Sequence, residues 1–274
     1  MNAQIQPLRP TSPWHKESYE AFIHDQLPQL LVDRLPLVGY QVKAKNQQNC
    51  TVAVAIRNGN GEIEVEYPDI PVPSEQGIFQ IEGKELIVIP LALDDHLDQA
   101  KIQCVGEQLY TEIESQLGEA PDHIPWDAAL LKAWLPLKKW IAGFFSERGQ
   151  ILDTTNWLSE QRHLRAILIP KRDKLITSGH FGRVCPFETP EGPNIGKVLR
   201  IAVGAAIEDG KIIIHEESPT AGLGVSASMI PLLEHDDPNR LLMGANMLGQ
   251  WLVPPDPEPA LVQTGFEPNE PNFW

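Results

Sequence analysis

The chain has 274 residues, 42% of them hydrophobic, which suffices for one large domain or two modest ones and excludes a disordered chain. A formal net charge of −15 argues against a protein that coats nucleic acid non-specifically, since that affinity comes from neutralising phosphates with Lys and Arg. Cys50, Cys104 and Cys185 form no CxxC pair or zinc pattern, residues 1–18 hold no apolar signal core, and no apolar run approaches a membrane span, so a cytoplasmic protein without membrane contact is expected.

Residues 15–35 read as an amphipathic helix, with Tyr19, Phe22, Ile23, Leu27, Leu30 and Leu31 on one broad face. Residues 51–57 and 62–67 are strand-like and flank Asn58-Gly59-Asn60-Gly61, a strong hairpin signal. Residues 77–83 and 84–89 form a second predicted hairpin. A helix is predicted over 94–118, with Asp94 or Asp95 as its cap and Gly118 as its stop. A second helix, about 127–147, is strongly apolar through Trp134, Leu137, Trp140, Ile141, Phe144 and Phe145, and is interrupted by Pro136.

The stretch 179–196, GHFGRVCPFETPEGPNIG, concentrates special-purpose residues. Thr189-Pro190-Glu191-Gly192 is a tight-turn signal. Apolar residues at 195, 198, 199, 202, 205 and 206 have helical spacing and predict a helix from Asn194 to about Gly204. A rigid turn feeding a helix start, with Arg183, Glu191 and Asn194 nearby, suits a grip on a nucleotide or a phosphate backbone. It equally suits a capped turn between a strand and a helix. From Arg162 to Arg200 the cations Arg162, Arg165, Lys171, Arg172, Lys174, Arg183, Lys197 and Arg200 outnumber Asp173, Glu188 and Glu191. Such a basic island in an acidic chain fits a confined contact with DNA or RNA, or docking on an acidic protein.

Residues 211–215 are a short predicted strand after the Asp209-Gly210 turn, and 218–224 a loop. Asp236-Asp237 before Pro238 marks the start of a helix running to about Leu252. Glu234-His235-Asp236-Asp237 reads as that capped start rather than a metal site, because contiguous ligands cannot all face one ion. Arg240 lies in the first turn, where a cation is disfavoured by the helix dipole, so a partner is expected: a carboxylate such as Glu234, or a phosphate. From Val253 the chain is Pro-rich and acidic. No HExxH, GxxxxGK[ST] or GxGxxG occurs, and neither a catalytic centre, a metal nor a cofactor is expected.

FGRVCPFETPEGPNIG, 181–196, and MIPLLEHDDPNRLLMGANM, 229–247, closely resemble two signatures of the β subunit of multisubunit, bacterial-type DNA-directed RNA polymerase, in family order. Residues 69–89 resemble its protrusion strands, 138–163 the segment lining its antibiotic pocket, and 259–267 the stretch before its catalytic barrel. The resemblance implies an α+β fold of mixed sheets and helices in two contiguous lobes, without that barrel. Residues 1–152 would form a protrusion-like lobe with the family's large lobe domain deleted, 153–252 a fork-like lobe, and 253–274 a tail. It also implies nucleic-acid or nucleotide contacts. Asp153, Asn156, Ser159, Glu160 and His163 fall on the RNA-side wall and antibiotic pocket, Glu191 and Asn194 near the growing RNA end, and Arg240 on the arginine that contacts the triphosphate. Arg165 and Arg183 join them as candidate binding cations.

The departures are specific. The Gly-rich fork loop after His163 is shortened to residues 164–170, one expected arginine is Ala166, and in 246–250, the family's NMxRQ, Gly249 stands where an arginine is expected. Neither the barrel lysines nor the family's metal-binding aspartates have a counterpart here. The expected function is a β-like protein, non-catalytic by itself, that binds nucleic acid or a transcription component, with polymerase subunits as candidate partners. Half of a split but active β subunit, and a pure protein-docking module, are the alternatives.

Overall fold

The structure is a computed structural model, which describes residues 13–44, 46–58, 61–118, 126–170 and 177–250. The chain folds as α+β, with seven α-helices and four small sheets among the described residues. The first helical segment comprises α1 (Trp14–Ala21), a π-helical turn (Phe22–Gln26) and α2 (Leu27–Val32). Pro28 lacks the N–H for an ordinary bond to the preceding turn. The backbone widens just before it, and Leu27 N–H donates to the Phe22 carbonyl. All six apolar residues of the predicted face are buried.

Strands β1 (Leu37–Ala44), β2 (Asn49–Asn58) and β3 (Gly61–Pro71) make an antiparallel sheet in that order. The predicted hairpin is the β2–β3 pair, ending at Asn58 opposite Gly61; Gly59 and Asn60 lie outside the described residues. Sequence patterning missed β1, whose residues are mostly half-exposed and give a weak alternation. The second hairpin is β4 (Phe79–Ile81) and β5 (Lys84–Val88). Its turn needs two left-handed residues, Glu82 at φ 52° and Gly83 at φ 75°.

The helix predicted over 94–118 begins only at Val105. Asp94 instead closes a turn by accepting the His96 N–H. β6 (Leu91–Ala92) and β7 (Ile102–Gln103) pair across the segment, and α3 (Val105–Gln116) follows. Its cap is Cys104, whose N–H donates to Glu107, not Asp94 or Asp95. Burial of Leu97, Ala100 and Ile102 in a neighbouring core overrides the helical spacing. The predicted second helix is two, α4 (Ala128–Trp134), capped by Asp127, and α5 (Leu137–Arg148), broken at Pro136. β8 (Gly149–Ile151) then pairs with β5.

α6 (Trp157–Leu164) leads into β9 (Ala166–Leu168). The predicted helix after Asn194 does not form. Residues 198–200 are instead β10 (Val198–Arg200), antiparallel to β9 in a mixed sheet of order β10-β9-β6-β7. The Val-Leu-Arg-Ile run satisfies a strand locally, and Leu199 and Ile201 gain burial against β9 that a helix would forfeit. β11 (Ala205–Glu208) and β12 (Lys211–Ile214) form a hairpin through Asp209 (φ 47°) and Gly210 (φ 68°). α7 (Pro238–Leu248) starts at the Asp-Pro signal and stops at Leu248, short of Leu252. Residues 1–12, 171–176 and 251–274, with the predicted tail, lie outside the described residues.

Two main cores result. One joins α1–α3, the β1–β3 sheet, α4 and α5. The other joins Ile167, Val184, Leu199, Ile201 and Ile207 to Trp14, Ala92, Leu97 and Ile102, so residues before 153 complete the packing of the later segment. Among the described residues no helix is long and apolar enough to cross a membrane.

Candidate interface around the signature turn

Asn156 builds the N-terminus of α6. Its side chain accepts the Ser159 N–H at 2.7 Å, and the Asn156 N–H donates to Ser159 Oγ at 3.0 Å. Asp153 accepts from the Thr155 hydroxyl at 2.7 Å, the Thr155 N–H at 3.0 Å and Ser159 Oγ at 3.2 Å. Partial burial opposes ionisation of Asp153, but these hydrogen bonds outweigh it and hold the carboxyl below its ordinary value. The Asp153 N–H donates to His163 Nδ1 at 3.0 Å, which leaves the ring proton on Nε2, 3.3 Å from Gln150 Oε1. Burial, then the charge of Arg200, pushes His163 down to about 4, so the ring is neutral at pH 7. Glu160 is half-buried, and burial with the neighbouring Glu85 raises its carboxyl. The structure thus brings Asp153, Asn156, Ser159 and His163 into one hydrogen-bonded knot.

Beneath the signature turn lies a buried charge network. Glu188 is 0% exposed, accepts the Ala227 N–H at 2.8 Å and lies 3.4 Å from Arg162 Nε. Its carboxylate fits because residue 224 is glycine; a Cβ there would meet it at 2.4 Å. Arg162 Nη2 donates to Asn246 Oδ1 at 2.7 Å, and Asn246 Nδ2 donates to the Thr189 carbonyl at 3.1 Å. Asn156 Nδ2 donates to the Leu248 carbonyl at 2.9 Å. α6, the turn and α7 are joined through these groups. A Cβ at Gly249 would lie 2.3 Å from Arg162 Nη1. The position where the resemblance leads one to expect an arginine is therefore flanked by a guanidinium reaching in from α6.

Other cations of the predicted island are also turned inward. Arg165 is 8% exposed. Its Nε donates to the Ile201 carbonyl at 3.1 Å and its Nη2 to those of Ala202 and Ala205, the latter at 2.7 Å. The guanidinium also stacks over Trp14, 5.4 Å from the ring centre. Arg183 donates to the carbonyls of Ile212 and Gly179 at 3.2 and 3.3 Å. Burial lowers Arg165 and Arg200 to about 10, so both stay charged at neutral pH. Of the remaining cations Lys197 is exposed, and 171–176 lie outside the described residues.

The turn itself is tied at its base. Thr189 Oγ1 donates to the Val198 carbonyl at 2.9 Å and accepts the Gly196 N–H at 2.7 Å. Gly192 (φ 99°) and Gly196 (φ 71°) supply left-handed conformations that other residues resist. Glu191 and Asn194 are exposed on this turn, and the residues that follow them form β10 rather than a helix start. Arg240 is exposed on α7. Its expected carboxylate does not pair with it: among the described residues Glu234 faces His235 at 3.7 Å instead. A cleft of about 1170 Å³ opens between the turn and the loop after β12.

Glu188 and Asn246 are site residues that sequence reasoning missed, and it read Arg162 only as a cation of the basic island and Gly249 only as the position of a lost arginine. One signal was available: Arg162 falls one helical turn after Leu158, on the side of α6 that carries its apolar residues. Glu188, counted only against the cations of the basic island, gave none.

The geometry defines an α+β protein whose signature turn stands on a buried arginine–carboxylate network. Residues 150–207 match the family model of RNA polymerase Rpb2, domain 3, so this segment is similar to an RNA polymerase β-type domain. The match takes in the α6 knot and the first signature; the second signature, on α7, lies beyond it.

Proposed function

We propose that this chain is an RNA polymerase β-like component of the transcription machinery, non-catalytic by itself, that docks on a protein partner rather than clamping nucleic acid. One observation carries the reading. Arg162, Arg165, Arg183 and Arg200, four cations of the basic island, are directed at the protein's own carbonyls, amide or carboxylate, while the turn bearing Glu191 and Asn194 faces solvent. Electrostatic binding to nucleic acid needs cations free to displace counterions. The departures at Ala166 and Gly249 point the same way. Polymerase subunits are the partners that the β-type domain makes natural.

The test mixes the purified full chain with purified polymerase subunits, and separately with labelled DNA and RNA at low salt. Co-elution with the subunits and a weak or undetectable gel shift are expected. A strong, salt-sensitive shift without subunit association would overturn the reading. The exposed Arg240, without an ion-pair partner among the described residues, favours one second reading, a split half of an active β subunit. In that case adding the complementary β fragment and β′ restores RNA synthesis, and Arg240→Ala abolishes it.

A further inference from the structure

The cleft beside the signature turn carries chemistry that the proposed function does not assign. Its lining is largely apolar, with Val184, Leu199, Leu223 and Leu242 among it. Two large apolar lining residues remain open to solvent, Phe181 at 69% and Ile195 at 56%. Exposed side chains of that size beside a concave apolar surface mark a place where another molecule completes the burial. The space depends on Gly182, at φ 72°, where a Cβ would press on Ile214 at 2.9 Å.

The charges select the occupant. The cleft is lined by Glu216 and Glu217 against a single lysine, Lys197. Among the described residues neither carboxylate has an ion-pair partner; Glu216 accepts only the Ser218 hydroxyl, at 2.9 Å. The whole chain carries −15, so its long-range field favours approach of a cation and opposes an anionic segment or a second copy of itself. We infer that this cleft receives an extended segment of a partner protein with apolar side chains at its centre and Lys or Arg at its flanks. The inference rests on the protein-docking reading above and gives the partner's segment its chemistry.

The probe is a fluorescent peptide with a Leu-Val-Pro-Leu centre and two lysines at each end, titrated into the full chain. Saturable binding is expected, weakened by added salt and reduced about tenfold or more in the Glu216→Lys/Glu217→Lys double variant. Phe181→Ser, at an exposed position, weakens it too, while Glu147→Lys, on the exposed side of α5, leaves it unchanged. Circular dichroism confirms that each variant is folded. Equal binding of the peptide with glutamates in place of lysines overturns the charge argument. Binding of a peptide copying residues 251–274 in its place assigns the cleft to the chain's own C-terminal segment. Self-association lost in Phe181→Ser assigns it to a second copy. Absence of saturable binding refutes the site outright. Because the probe is synthetic, its failure leaves the subunit co-elution result standing, and the reverse also holds.

Discussion

At the scale of single residues, the arginines of residues 162–200 illustrate how a cation's role depends on where its side chain ends. Arg165 brings together the carbonyls of 201, 202 and 205 and covers the face of Trp14. Its planar fork suits three acceptors at once, whereas an ammonium is a single point of charge. Arg165→Ala is expected to cost about 3 kcal/mol or more, because buried acceptors lose charged donors. Arg165→Lys should recover only part of that, as read by urea denaturation with an unchanged m-value. A fully stable lysine variant would show that the three-carbonyl geometry does not matter. Nothing in the sequence distinguishes this arginine from a surface one, since its acceptors lie some 40 positions further along the chain.

At the scale of elements, α6 and α7 are held together by polar atoms more than by apolar packing. α7 buries only Leu241 and Ala245, and its inner end is secured by Arg162–Asn246, Asn246–Thr189 and Asn156–Leu248. Asn156 therefore serves two elements, as the cap of α6 and as a tether for α7. Asn156→Ala is expected to destabilise the fold by about 1–2 kcal/mol, the usual cost of a lost cap. Asn156→Ser, which keeps a capping oxygen but not the donor to Leu248, should restore α6 while leaving faster amide exchange in α7. Hydrogen exchange resolves the two: unchanged protection of α7 in Asn156→Ala would remove the tether from the account. Helix α7 was legible because Asp237-Pro238 is a local signal. The missed strand β10 was not, since the spacing of Ile195, Val198, Leu199 and Ala202 fits a helix and only the presence of β9 beside it decides for a strand.

At the scale of the whole molecule, one buried and one half-buried imidazole make stability depend on pH. His15 is 2% exposed, with Nε2 3.0 Å from the Leu164 carbonyl, and burial lowers it to about 4; His163 is lowered to about 4 as well. In the unfolded chain both take up a proton near 6.5. Between pH 6.5 and 4 the unfolded state binds more protons, so stability is full above 6.5 and falls as the pH drops towards 4. Each histidine contributes up to about 1.4 kcal/mol per pH unit across that window. Melting temperatures recorded from pH 7.5 to 5 should decline below 6.5, and His163→Gln should flatten the slope whatever it does to stability at pH 7.5. A level profile in the unaltered chain would contradict two imidazoles held neutral in the fold. The amino-acid sequence by itself determined the apolar face of α1 and α2, both hairpins and the α7 start, because each is written in residues close together along the chain. Tertiary structure alone decided that Arg162, Arg165, Arg183 and Arg200 face inward, that Glu188 is buried and that 198–200 is a strand. Those outcomes depend on acceptors, a counter-charge and a neighbouring strand contributed by distant segments, and a local pattern carries no record of which segment folds back against it.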